Sequence, residues 1–283
     1  MAYAELTPVS GGPTVHLDAE SDTGLMLGTV AGWYGTPSAK VDMTEMAGGN
    51  GAFPVRDDGI LYSARTVTLG ICASGSTYAE MVERMDSVGA LSGKMVELLI
   101  DGDDGATTAT GYVQVEWDEG PMPAMDTGTL TIVCPDPRRY GRTARSATLV
   151  PGGNASGGLD LTDARLAFPL AWGDQAAIHC VATMHNDGTS TAYPTITIQG
   201  AISDVALVDT SGGGELTVPG HIGWQPIVLD CLARTASIAG VDVTRRLGQR
   251  NFPSIPAGGD ATIALMCEGT NGTVHVEWRD TYI

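Results

Sequence analysis

Residues 66–100 read TVTLGICASGSTYAEMVERMDSVGALSGKMVELLI, and this stretch decides the fold. Val67, Leu69 and Ile71 alternate with smaller or polar neighbours, the period-two pattern of a half-buried strand. After a loop at 73–76, Tyr78, Met81, Val82, Met85, Val88 and Leu91 recur at steps of three and four, which places them on one stripe of a helix. Thr77 with Glu80 three positions on is a capping-box pattern, and Gly93 is expected to close the helix. Residues 95–100 return to strand character, so this helix stands between strands. No other stretch carries a convincing helical period.

Outward from this core, Asp101-Gly102-Asp103-Asp104-Gly105 is a turn, and 111–117 is a returning strand with Val113, Val115 and Trp117 on one side. A further strand is expected at 129–134. The string Cys134-Pro135-Asp136-Pro137-Arg138-Arg139-Tyr140-Gly141 cannot continue a central strand, because its prolines lack the amide donor that a ladder needs. It ends the first unit, and the Gly-, Asn- and Ser-rich residues 151–158 read as an exposed connector. The expected domains are 1–145 and 146–283. Upstream, the segment through Val30 gives no pattern that can be placed.

The second half reads as strands near 176–183, 195–200, 205–209, 214–218, 227–231, 236–238, 261–267 and 273–278. Turn chemistry separates them: Asn186-Asp187-Gly188, Ser211-Gly212-Gly213-Gly214, Ala239-Gly240, Pro256-Ala257-Gly258-Gly259 and Asn271-Gly272. About eight short strands imply a sandwich. Composition agrees, since hydrophobic residues make up 43% of the 283, aromatics only 6%, and there are 38 glycines. The fold class is therefore mainly β.

Acidic residues outnumber basic ones 33 to 15, for a formal charge of -18, which excludes gripping nucleic acid by counterion release. The start, Met1 to Ser10, has neither a basic region nor a long apolar run, and no stretch approaches the roughly 18 apolar residues that span a bilayer. A protein made in a cytoplasm, without membrane insertion, is expected. Cys72, Cys134, Cys180, Cys231 and Cys267 lie far apart in or beside apolar runs and are expected to be buried thiols.

The chemistry-bearing candidates are sparse. The acidic turn at Asp101–Gly105 lacks EF-hand spacing, and Asp57-Asp58-Gly59 is an ordinary turn. Gly48-Gly49-Asn50-Gly51 matches neither GxGxxG nor a Walker motif and is expected to be a loop. His16, His179, His185, His221 and His275 never take a metal-binding spacing, and no GxSxG elbow occurs. No catalytic, substrate-binding, cofactor-binding or metal-ligating residue is nominated, and no cofactor is expected. Arg138 and Arg139 beside Tyr140 form a compact basic and aromatic cluster, suited either to an acidic subunit contact or to a solvated turn. Trp172, Trp224 and Trp278 suit either stacking on sugars or packing in a core or interface.

The order of these elements resembles the distal tail protein family of siphophages, often described as phage tail or minor tail proteins. The resemblance rests on Asp58-Gly59 leading through Tyr62 and Arg65 into the 67–71 strand, then the helix, Val96-Glu97-Leu98 with its hairpin, and Asp136-Pro137-Arg138-Arg139-Tyr140-Gly141. In the second half it rests on Asn186-Asp187-Gly188, Tyr193-Pro194, Ile196–Gly200, Ile227-Val228-Leu229-Asp230, Arg234-Thr235, Gly240 and Pro256-Ala257-Gly258. It implies an N-terminal tail-tube-like β domain with one helix and a C-terminal galectin-like β-sandwich. It also implies a homo-hexameric ring in the virion tail tip that joins the tail tube protein to the tail hub or tail-associated protein. The tape measure protein and DNA would pass through its bore without specific binding. Two other classes stay open: a carbohydrate-binding module contacting the host cell wall, and a β-rich hydrolase whose carboxylates are not readable in sequence.

Overall fold

Along β4 (Arg65–Ser74) every second residue is buried, so the strand that the alternation of Val67, Leu69 and Ile71 predicts runs the full width of a sheet. The computed structural model describes residues 3–18, 23–54, 60–102, 105–118, 124–152 and 180–283. They form two compact units, Met1–Arg142 with Tyr282–Ile283, and Thr143–Thr281. The protein is mainly β, in two antiparallel sheets.

In the first unit, β1 (Tyr3–Pro8), β2 (Val15–Leu17), β3 (Leu25–Ala31), β5 (Met95–Gly102), β6 (Gly105–Trp117) and β7 (Met125–Cys134) join β4 in the order β2-β1-β5-β6-β7-β4-β3. A short β8 (Arg139–Gly141) pairs with β6. The first thirty residues, without a legible pattern, thus supply three strands. Ala4 and Leu6 are fully buried where β1 pairs with β5, a contact made some ninety residues away in sequence. Of the three buried positions of β1, Ala4, Leu6 and Pro8, only Leu6 is a large apolar residue, too little to signal a strand alone.

The helix α1 (Tyr78–Gly89) has Thr77 as its N-cap, whose Oγ1 accepts from the Glu80 N–H at 3.3 Å. The Glu80 carboxylate accepts from Ser76 N–H at 2.8 Å, one residue further back than a standard capping box. Met81, Val88 and Leu91 are buried, with Val82 and Met85 packed against the same core. Two expectations need correction. Tyr78 is 65% exposed, because a helical side chain covers the turn before its own Cα and the first residue has no such turn. Gly93 does not cap the helix, which ends at Ala90; its φ of +74° instead turns the chain toward β5, and its N–H donates to Val113 O at 2.8 Å.

The second unit contains β9 (Arg145–Leu149), β10 (Val181–Asn186), β11 (Thr195–Asp209), β12 (Glu215–Ile222), β13 (Ile227–Asp230), β14 (Thr235–Ile238), β15 (Val241–Asp242) and β16 (Gly259–Trp278). Their order is β10-β16-β11-β13-β14-β15, with β12 added on β11 and β9 on β16. The expected strands 195–200 and 205–209 are one strand, as are 261–267 and 273–278. Asn271-Gly272 is therefore no turn: it lies inside β16, opposite Ala201 and Gly200. The reason is a bulge. Asp204 takes a φ of +48° and the register shifts between Ser203 and Val205, so buried side chains pass from Ile196, Ile198 and Ile202 to Val205 and Leu207. That change of parity makes one strand read as two. It also lets β11 and β16 serve both ends of a single core, with β13 and β9 at one end and β12 and β10 at the other. Residues 176–179 of the expected strand at 176–183 lie outside the described residues, as do most of the connector at 151–158 and the Asp57-Asp58-Gly59 turn. Among the described residues no helix is long and apolar enough to cross a membrane.

Candidate functional site

Between β3 and β4 the described residues 32–54 and 60–64 leave the sheet and fold back on themselves as an arm. Ser63 N–H donates to Ser38 O at 2.9 Å, Lys40 to Leu61 O at 2.6 Å, Phe53 to Thr44 O at 3.0 Å, and Met46 to Gly51 O at 2.9 Å. Gly48-Gly49-Asn50-Gly51 is thus the tip of an arm. Along it Tyr34, Met43, Phe53, Ile60 and Leu61 are exposed, Leu61 by 67% and Met43 by 64%. A single exposed apolar side chain is ordinary, whereas this concentration on one excursion is the composition of a contact surface.

The root of the arm is held by one side chain. Arg65 is 1% exposed; its Nε–H donates to Pro137 O at 2.8 Å, and Nη1 donates to Gly32 O at 2.8 Å, Trp33 O at 2.7 Å and Gly35 O at 2.7 Å. Burial, and then the nearby charge of Arg139, lower the pKa of this guanidinium. Gly32 must be glycine: its φ is +78°, and a Cβ there would sit 2.1 Å from Thr66 O.

Beside Pro137, the string that ends the first unit closes on itself. Arg138 donates to both oxygens of Asp136 at 2.8 and 3.0 Å, and Tyr140 Oη–H donates at 2.6 Å. Burial opposes ionisation of Asp136, but these bonds outweigh it and hold the carboxyl below its usual pKa. The Arg139 guanidinium stands 5.7 Å from the ring centres of Trp33 and Tyr34 and 5.8 Å from that of Tyr282, within cation–π range. The Arg138-Arg139-Tyr140 cluster is therefore built into the fold of the first unit rather than left as a solvated turn. Arg65 and the 136–141 string, quoted separately from the sequence, meet at one place. Trp33, buried at their centre, carries no sequence signal of that role.

The other candidates scatter. Cys134 and Cys231 are buried, Cys72, Cys180 and Cys267 only partly so, and all are free thiols. Burial pushes Cys134 up to about 11 and Cys231 higher still, so neither is a thiolate at neutral pH. His16 meets Tyr3, His221 meets Ser203 and His275 meets Thr148, each in a different place. His185 lies between Asp260 and Asp187, at 2.6 and 2.8 Å, and these hydrogen bonds raise its pKa. Arg145 donates to Asp187 and, at 2.8 Å, to Asp280. Among the described residues no group of three or more His, Cys, Asp or Glu is arranged to hold a metal ion. Trp278 is a core residue whose Nε1–H donates to His185 O at 2.7 Å, Trp172 and His179 lie outside the described residues, and Trp224 is 79% exposed.

No family model and no curated protein matches the sequence. Solved structures do match in shape. The SPP1 Dit (gp 19.1) protein, described as a paradigm of the hub adsorption apparatus in Gram-positive infecting phages, is 14% identical, with a TM-score of 0.64 over 99% of both chains. Two structures of the phage P2 baseplate in its activated conformation are each 10% identical. The calcium form has a TM-score of 0.50 over 98% of this chain and 97% of that one, and the strontium form 0.51 over 98% of both. At these identities the likeness concerns shape. Over 99% of its length this chain is similar in fold to the SPP1 Dit protein.

Proposed function

We propose that this chain is a distal tail protein of a siphophage, a structural component of the tail tip that acts by assembling. The observation that carries the reading is the likeness to the SPP1 Dit hub protein over 99% of both chains, which leaves neither unit unmatched. The domain expected at 1–145 is the tail-tube-like, ring-forming one and that expected at 146–283 the galectin-like sandwich, which correspond to the units Met1–Arg142 with Tyr282–Ile283 and Thr143–Thr281. Six copies close a ring through heterologous contacts, in which one face of each subunit complements a different face of the next. The arm supports this, since its exposed Met43, Phe53 and Leu61 need a covering surface. The ring sits between the tail tube protein and the tail hub or tail-associated protein, in the virion. Its bore passes the tape measure protein and DNA, and a chain of charge -18 keeps DNA from adhering. No catalysis enters this role.

Electron microscopy of the purified chain and of intact tails tests the reading. Six-fold annuli with an open centre, and label at the tail tip, are expected. A phage that lacks the protein yet builds normal tails and delivers its genome overturns it.

A further inference from the structure

The second unit carries a surface that the tail reading does not use. Where β11 passes β16, Trp224, Gln199, Thr270, Asn271 and Thr273 line an open groove of about 560 Å³. That volume lies within the usual small-ligand range of about 300–1,000 Å³. Two paired glycines, Gly200 and Gly272, leave bare backbone at its base, and a Cβ on Gly200 would sit 2.4 Å from Asn271 O. Gln199, Thr270, Asn271 and Thr273 therefore stand on two paired strands, which lowers the entropy cost of holding a ligand, and Trp224 joins them from the turn at 223–226 between β12 and β13.

Two observations point to the ligand's chemistry. Trp224 is 79% exposed, whereas Trp33 and Trp278 are 1% and 7% exposed, so its flat apolar face is offered to solvent. The remaining lining side chains are all uncharged amides and hydroxyls, in a chain with 33 acidic residues. Amides and hydroxyls both donate and accept, and so match a ligand that presents many hydroxyl groups. A ring with one apolar C–H face and a hydroxylated rim satisfies both features. A nucleotide polymer also stacks on indole, but its phosphates are repelled by the net charge.

We infer that the Trp224 groove is a binding site for a neutral saccharide, with the indole stacked beneath one pyranose ring and Gln199 and Asn271 bonding its hydroxyls. The site belongs to the second unit and stands whether or not the chain forms rings.

The test is NMR titration of the full chain with three neutral probes, the N-acetylglucosamine trimer, cellotriose and lactose, and with a galacturonic acid trimer as charged control. At least one neutral probe is expected to shift the Trp224 indole N–H and the Gln199 and Asn271 side-chain amides. Trp224→Ala should weaken that binding by about tenfold or more and Gln199→Ala by a few-fold, both with unchanged circular dichroism and thermal unfolding. The inference is overturned if no neutral probe shifts these signals at about 20 mM, a concentration that detects weak binding. It is also overturned if Trp224→Ala leaves the shifts intact, or if the charged trimer binds as well as the neutral probes. Loss of self-association in Trp224→Ala, without any saccharide shift, would assign the indole to a protein contact instead.

Discussion

Each unit is clasped by one buried polar side chain that bonds to backbone, and the two clasps differ in charge. Asn186 is fully buried and neutral. Its Oδ1 accepts from Gly188 N–H at 3.0 Å and Thr281 N–H at 3.1 Å, and its Nδ2 donates to Ser190 O at 2.8 Å and Pro256 O at 3.2 Å. Both donors and both lone pairs are used, so burying this amide costs little. Gly188 must be glycine for the clasp to close, since a Cβ there would sit 1.9 Å from Thr281 O. Arg65 is buried and charged, and its Nη2 has no partner among the described residues. A buried charge held by carbonyls carries a desolvation cost that a neutral amide does not, and is worthwhile only where one group must fix several segments. Asn186 closes the second unit on itself. Arg65 holds the place where the first unit releases its arm.

The most damaging way to break this comparison is Arg65→Met, which strips four carbonyls, that of Trp33 among them buried, of their donor. A loss of about 3–5 kcal/mol is expected in urea unfolding of the first unit, and Arg65→Lys should not restore it because an ammonium lacks the fork that reaches four carbonyls. Next comes Asn186→Ala, at about 2–4 kcal/mol, confined to the second unit's transition. If either substitution lowers both transitions equally, the clasps are not independent. Thr77→Ala, which removes the cap of α1, should cost about 1 kcal/mol in the first unit only.

Acid and base sharpen the contrast through opposite signs. Asp136, in the first unit, is held below its ordinary pKa, so its contribution is present above about pH 3.9 and is lost as pH falls through the lowered folded value. Asp136→Asn should flatten that unit's acid limb. His185, in the second unit, is held above its ordinary value, so its contribution is complete below about pH 6.5 and is lost as pH rises through the raised folded value. NMR titration of the imidazole should show the shift, and substituting Asp260→Asn should reduce it. The smallest stability effect is expected of Phe53→Ser with Leu61→Ser, within about 0.5 kcal/mol. If the proposed ring forms, mass measurement should nevertheless show the double variant failing to assemble, and unaffected assembly would remove the arm from the proposed contact.

How much was legible in the sequence depends on how local the signal is. The helix declares itself because its cap and its apolar stripe all lie within one short segment, and β4 because its alternation runs unbroken. The strands β1 to β3 stay silent because each is short and acquires its burial from partners elsewhere. The groove was half visible: Trp224 stood among the tryptophans suited to sugars, but Gln199 and Asn271 lie far from it in sequence, and Asn271-Gly272 read as a turn. Arg65 was legible as part of a family string, yet nothing around it announces that Gly32, Trp33, Gly35 and Pro137 converge on its guanidinium.

From residue order alone came the mainly β class, the place of the single predicted helix, the acidic charge and the turn chemistry, because these depend on neighbours a few positions apart. Tertiary structure alone decided which polar side chains became buried clasps, which tryptophan met water and where two runs became one strand. Those outcomes depend on burial and on hydrogen-bond partners brought from distant parts of the chain, and a local pattern holds no record of them.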